Sequence, residues 1–111
     1  MNAGDSTAEP LLDDAGRACL HELAARYVWW KTPDEAMQQP RRVAAQVRNI
    51  GAWDDVARMD GAVGENYLRF VLQTAEAGQL DERSWHFWHY RLGLAEYGTR
   101  PVPPMPVRKI A

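Results

Sequence analysis

Apolar residues recur along this chain with the spacing of helices, not strands. From Leu11 onward Leu12, Cys19, Leu23, Tyr27 and Trp30 fall on one side, with Leu20 and Ala24 beside them. Spacings near i, i+3 and i+4 predict a first amphipathic helix. Thr32-Pro33-Asp34-Glu35 reads as the start of a second. Thr32 can cap it, Pro33 suits the first turn, and Glu35 completes a capping box. Pro40 makes this helix short. Arg41 to Ile50 reads as a third helix with Val43, Val47 and Ile50 inward, and Gly51 as a left-handed end.

A fourth helix is predicted over 52–63, with Trp53, Val56, Ala57 and Met59 as its apolar residues and Gly64 as its stop. A fifth runs over 65–77 with Leu68, Val71, Leu72 and Ala75 inward, ended by Gly78. Asp81 is the expected cap of a sixth, with Leu80 and Trp85 placed as a hydrophobic staple and Gly93 at its end. No stretch shows strand alternation. The fold class is therefore all-α: one small domain of five or six short helices over residues 11–98. Residues 1–10 are small, polar and acidic, and read as disordered. Residues 99–111 contain four prolines and read as an extended tail.

Composition narrows the class further. At 111 residues the chain suits one modest core. No apolar run approaches the roughly 18 residues of a membrane span. The first residues lack a basic start and an apolar stretch, so no secretion signal is expected. The lone Cys19 excludes an internal disulfide, fits a reducing cytoplasm, and reads as a small buried hydrophobe. The net charge of −2 gives no overall attraction for nucleic acid.

Candidate chemistry centres on Ser84-Trp85-His86-Phe87-Trp88-His89-Tyr90, where six ring-bearing side chains follow one another. A helix turns about 100° per residue, so these rings reach every side of it. Trp85, Trp88 and Leu92 share one face, with His89 at its edge. Phe87, Tyr90 and Leu94 share the opposite face, flanked by His86 and Arg91. A surface helix buries one apolar face. The second face is therefore either more core or a contact surface, for a partner or for a second copy. His86 and His89 form an H-x-x-H pair, but zinc needs further ligands that the chain does not offer at recognisable spacing. No metal, cofactor or catalytic residue is expected, because no nucleophile elbow, phosphate loop or dinucleotide turn is present.

The helices over 52–63 and 65–77 have the spacing of a helix-turn-helix, which keeps a DNA-binding regulator open as the alternative. The would-be recognition helix opens Glu65-Asn66 and carries a single base, Arg69. That is poor equipment for phosphates or base edges.

Several motifs occur in a familiar order. Arg26-Tyr27-Val28-Trp29-Trp30-Lys31 precedes Pro40-Arg41-Arg42 and Gln46-Val47-Arg48-Asn49-Ile50-Gly51. Ala52-Trp53-Asp54-Asp55-Val56 and Ser84-Trp85-His86-Phe87-Trp88 through Arg91-Leu92-Gly93-Leu94 follow. Over residues 26–94 the chain resembles a family of small bacterial proteins encoded beside nucleotidyltransferases of the abortive-infection toxin type. The resemblance implies an antitoxin-like, non-enzymatic protein that binds such a toxin. It departs from the pattern at Ala52, where a capping Thr or Ser is expected, and at Asp60-Gly61, where a more apolar helix end is expected. The residues expected to meet a partner are Trp29, Trp30, Phe87, Tyr90 and Arg91, together with Val102 and Met105 of the tail, whose apolar side chains also include Val107 and Ile110.

Overall fold

A computed structural model describes residues 9–107; of the segment 1–10 expected to be disordered, residues 1–8 lie outside the described residues, as does the tail residue Ile110. Among the described residues six helices form the domain: α1 (Asp14–Tyr27), α2 (Pro33–Ala36), α3 (Pro40–Ile50), α4 (Trp53–Val63), α5 (Glu65–Gln73) and α6 (Glu82–Arg91). The protein is all-α. α1 lies against α3 and α4, α5 packs on α3, and α6 closes the bundle beside α5. Leu20, Val43, Val47, Met59, Tyr67 and Leu68 are the largest fully buried side chains.

Helix starts follow the caps in the sequence. α1 begins three residues after Leu11, because Asp13 accepts from the Gly16 amide at 2.7 Å and fixes the first turn there. Leu11 is left exposed. α1 ends at Tyr27, so Trp30 is not on its stripe; Val28 leaves helical geometry and the chain turns into the α2 cap. That cap is the expected box, with Thr32 and Glu35 bonding each other's backbone at 3.2 and 3.0 Å. Glu35 is held below the usual carboxylate range by its hydrogen bonds to Thr32. Asp81 caps α6 through the Ser84 amide at 2.7 Å, and Leu80 and Trp85 are both buried.

α4 has no capping side chain of its own. The Ala52 amide donates to the Tyr27 hydroxyl at 2.9 Å, and that hydroxyl donates to Asp55 at 2.5 Å. Asp55 is the third residue of α4, where a capping box would place its acid. Tyr27 therefore relays the box across from α1, which supplies what Ala52 lacks.

Several expectations are corrected. The buried arc of α3 centres on Ala44, so Ile50 stands 57% exposed and Arg48 is buried instead. Gly51 is extended (φ −69°), not left-handed; a glycine is needed because a Cβ there would meet the Val47 carbonyl oxygen at 2.4 Å. Trp53 and Ala57 of α4 are exposed. α5 stops at Gln73, four residues early. Thr74 turns its hydroxyl back on the Phe70 carbonyl at 2.7 Å, and Arg41 caps the Thr74 carbonyl at 3.1 Å. α6 ends as foreseen at Gly93 (φ +73°). The Leu94 amide reaches the His89 carbonyl and the Gly93 amide the Tyr90 carbonyl, which is a Schellman motif.

Beyond α6 a tight turn pairs Glu96 with Arg100. Residues 101–107 then run without helix or strand. The tail does not stand free: Val102 and Met105 pack on the core, and Trp85 Nε1 donates to the Pro103 carbonyl at 2.8 Å.

The two glycines of this region should respond oppositely to alanine. Gly61 has open space around its Cβ position inside α4, so Gly61→Ala should raise stability by about 0.5–1 kcal/mol. Gly51→Ala should lower it by about 1–3 kcal/mol through overpacking on Val47. Urea unfolding midpoints measure both; equal effects would show that the close approach at Gly51 is absent.

Candidate interaction surface

α6 is built with two faces. Trp85, Trp88, His89 and Leu92 are buried, while His86, Phe87, Tyr90 and Arg91 face outward. The Schellman end and the Asp81 cap set the helix limits, and the burial of Trp85 and Trp88 sets its rotation.

The inner face is anchored by Arg48 of α3, whose side chain is 3% exposed. Its Cζ lies 3.5 Å from the centre of the Trp88 ring. Nη2 donates to Asp60 Oδ1 of α4 at 2.9 Å, and Trp88 Nε1 donates to the Arg48 carbonyl at 3.3 Å. Nε and Nη1 are buried with no hydrogen-bond acceptor among the described residues. Burial lowers the Arg48 pKa, with Asp60 opposing the shift. Burial also raises that of Asp60, against the pull of Arg48.

His89 lies against Trp85, with ring centres 4.2 Å apart. Its Nδ1 is 2.7 Å from the Trp85 carbonyl, which can only accept, so the proton sits on Nδ1. Burial pushes its pKa below the usual value. His86 is exposed, with Nδ1 at the Glu82 carbonyl. The H-x-x-H pair is thus divided between inside and outside. Among the described residues no three His, Cys, Asp or Glu side chains gather as metal ligands.

The outer face carries a row of rings. Trp53, 66% exposed, lies 6.4 Å from Phe87, which is 46% exposed. Phe87 and Tyr90 are three residues apart, hence neighbours on the helix surface. Tyr90 is 6.5 Å from Tyr97, which is 91% exposed. Trp53 also stacks toward the buried Trp88, at 6.4 Å and 14°. Phe87, Tyr90 and Arg91 were expected at this surface; Trp53 and Tyr97 join them and were missed by the sequence reading. Neither gave a local signal: the spacing of Val56 and Met59 allowed Trp53 inward, and Tyr97 lies in the turn beyond α6, four residues past Gly93.

The other expected residues go elsewhere. Trp29 and Trp30 sit on the α1–α2 turn, 75% and 55% exposed, and pack edge to face with each other at 5.6 Å. Trp30 also walls a cavity of about 400 Å³ with Val28, Lys31, Arg42 and Val43. Val102 and Met105 are half-buried against the protein's own core. The helix-turn-helix candidate is joined by Gly64 alone. In α5, Tyr67, Leu68, Val71 and Leu72 are buried, and Arg69 is engaged with the Leu92 carbonyl at 3.0 Å and Glu65 at 3.1 Å. Tyr67 bonds Glu9, and burial together with that carboxylate raises its pKa.

The chain matches no protein-family model, no curated protein and no solved structure. Among the described residues no helix is long and apolar enough to cross a membrane.

His89 sets an acid sensitivity. Its folded-state pKa is depressed, so below the unfolded value near 6.5 the unfolded chain binds the extra proton. Its contribution is complete above that pH and is lost as pH falls. Thermal unfolding midpoints should therefore drop between pH 7 and 5, and His89→Gln should flatten that drop. An unchanged pH profile in the variant would show that His89 is not buried as described.

Proposed function

We propose that this protein is a non-enzymatic docking module that binds another protein through the outer face of α6. The observation that carries this is the continuous row of exposed rings from Trp53 through Phe87 and Tyr90 to Tyr97. Large aromatic side chains left in water side by side cost solvation free energy that a partner's apolar surface relieves. Trp, Tyr and Arg are also the residue types that dominate binding hot spots. Phe87, Tyr90, Arg91 and Trp53 are the contacts assigned to the interface.

The sequence resemblance over residues 26–94 makes a nucleotidyltransferase of the abortive-infection toxin type the first partner to test, with antitoxin-like restraint as the consequence of binding. The aromatic strip supports protein docking in general and does not depend on that choice.

The double substitution Phe87→Ala/Tyr90→Ala should weaken binding by about 10–100-fold while leaving the helical circular-dichroism signal intact. The check is affinity recovery of partner proteins, a nucleotidyltransferase first among those sought, with the tagged protein from its own host. Equal recovery with the wild type and the double variant would remove this face from the interface.

A further inference from the structure

The strip of rings borders a cavity of about 340 Å³ between the end of α3, the start of α4 and α6. Trp53, Phe87 and Trp88 form its apolar walls; Arg48, Arg83 and Asn49 are its main donors. Arg48 stands in this wall with Nε and Nη1 buried and without an acceptor. Among the described residues Arg83 has no ion-pair partner.

The acids at the site are already committed. Asp60 takes Nη2 of Arg48, and Asp81 holds the Ser84 amide. The cavity wall carries two guanidinium groups, those of Arg48 and Arg83, and one carboxylate, the capping Asp81. Buried donors without acceptors are rare in folded proteins, and those on a cavity wall mark a place where an acceptor is missing.

We propose that this cavity receives a carboxylate side chain, Asp or Glu, carried by the partner protein, with a bulky apolar neighbour seated on the ring strip. The inference rests on the docking reading above and names the chemistry of the segment that docks. Trp53 is the cover. It occupies the first position of α4, is mostly exposed, and lies parallel to Trp88 on the cavity's rim. Rotation of its side chain opens the path to Arg48. A carboxylate then accepts from the unpaired guanidinium N–H groups of Arg48 while Arg83 closes over it, giving charge-assisted bonds. A nucleic-acid strand fits this site less well than a single carboxylate. Its repeated phosphates would run past Asp81 in the cavity wall and on to the exposed Asp54 and Glu82 outside it, whereas a single carboxylate need meet only the cavity.

Selection of a random twelve-residue peptide library displayed on phage against the immobilised full-length chain tests this. Expected are enriched peptides pairing Asp or Glu with an adjacent aromatic or aliphatic residue. Converting that acid to its amide should weaken binding about tenfold, and Arg83→Ala should do the same. Arg83 is exposed, so the result does not hang on the buried Arg48. Enrichment of apolar peptides without an acid, lost in Phe87→Ala/Tyr90→Ala, would overturn the carboxylate site and keep the docking surface. Absence of any peptide sensitive to Phe87 and Tyr90 would overturn both. Tighter binding of a twenty-nucleotide oligouridylate than of any selected peptide would overturn the proposal in favour of nucleic acid.

Discussion

The stacking of Arg48 on Trp88 is the interaction on which the arrangement of this protein depends. It joins three helices that are separate in sequence: Arg48 belongs to α3, its carboxylate partner Asp60 to α4, and Trp88 to α6. A guanidinium at 3% exposure loses most of its hydration. The Trp88 ring face and Asp60 offset that loss in part, and the remaining N–H groups stay unpaired. With Trp88 held in this way, Phe87 beside it must point outward, and Trp53 is drawn alongside both rings. The ring strip at the surface is thus a consequence of the clamp beneath it.

The same clamp explains why α4 tolerates features that weaken a helix. Asp60 and Gly61 break the apolar run near its end, and Ala52 provides no cap at its start. Asp60 is there to meet Arg48, and the Ala52 amide is satisfied through Tyr27 and Asp55. Both devices reach α4 from other helices. Its stability is therefore tertiary in origin, as it is for most short helices.

Much of the fold was legible in the chain itself. Short-range chemistry carried it: Thr32 with Glu35, Asp81 with Ser84, Pro40, Gly64 and Gly93 mark helix limits that hold in three dimensions. The inward side of α6 followed from the spacing of Trp85, Trp88 and Leu92. What escaped depends on distant partners. Nothing local distinguishes Arg48 from a surface arginine until Trp88 arrives forty residues later, and its burial is what displaces Ile50 outward. The tail read as a free apolar strip because nothing near it in sequence shows that Trp85 binds the Pro103 carbonyl. For the candidate surface, Phe87, Tyr90 and Arg91 were legible from helical geometry. Trp53 and Tyr97 required knowing which helices meet.

One arginine buried on a tryptophan ring fixes α6 and leaves its outer rings exposed. Nuclear magnetic resonance of the arginine side chains in ¹⁵N-labelled protein is the decisive measurement. A single Nε–H resonance is expected, shifted upfield by the Trp88 ring current and slow to exchange with water, with that shift lost in Trp88→Leu. If all arginine Nε–H signals instead cluster at solvent-exposed positions and exchange rapidly, Arg48 is not clamped, and the orientation of α6 that produces the surface strip has no support.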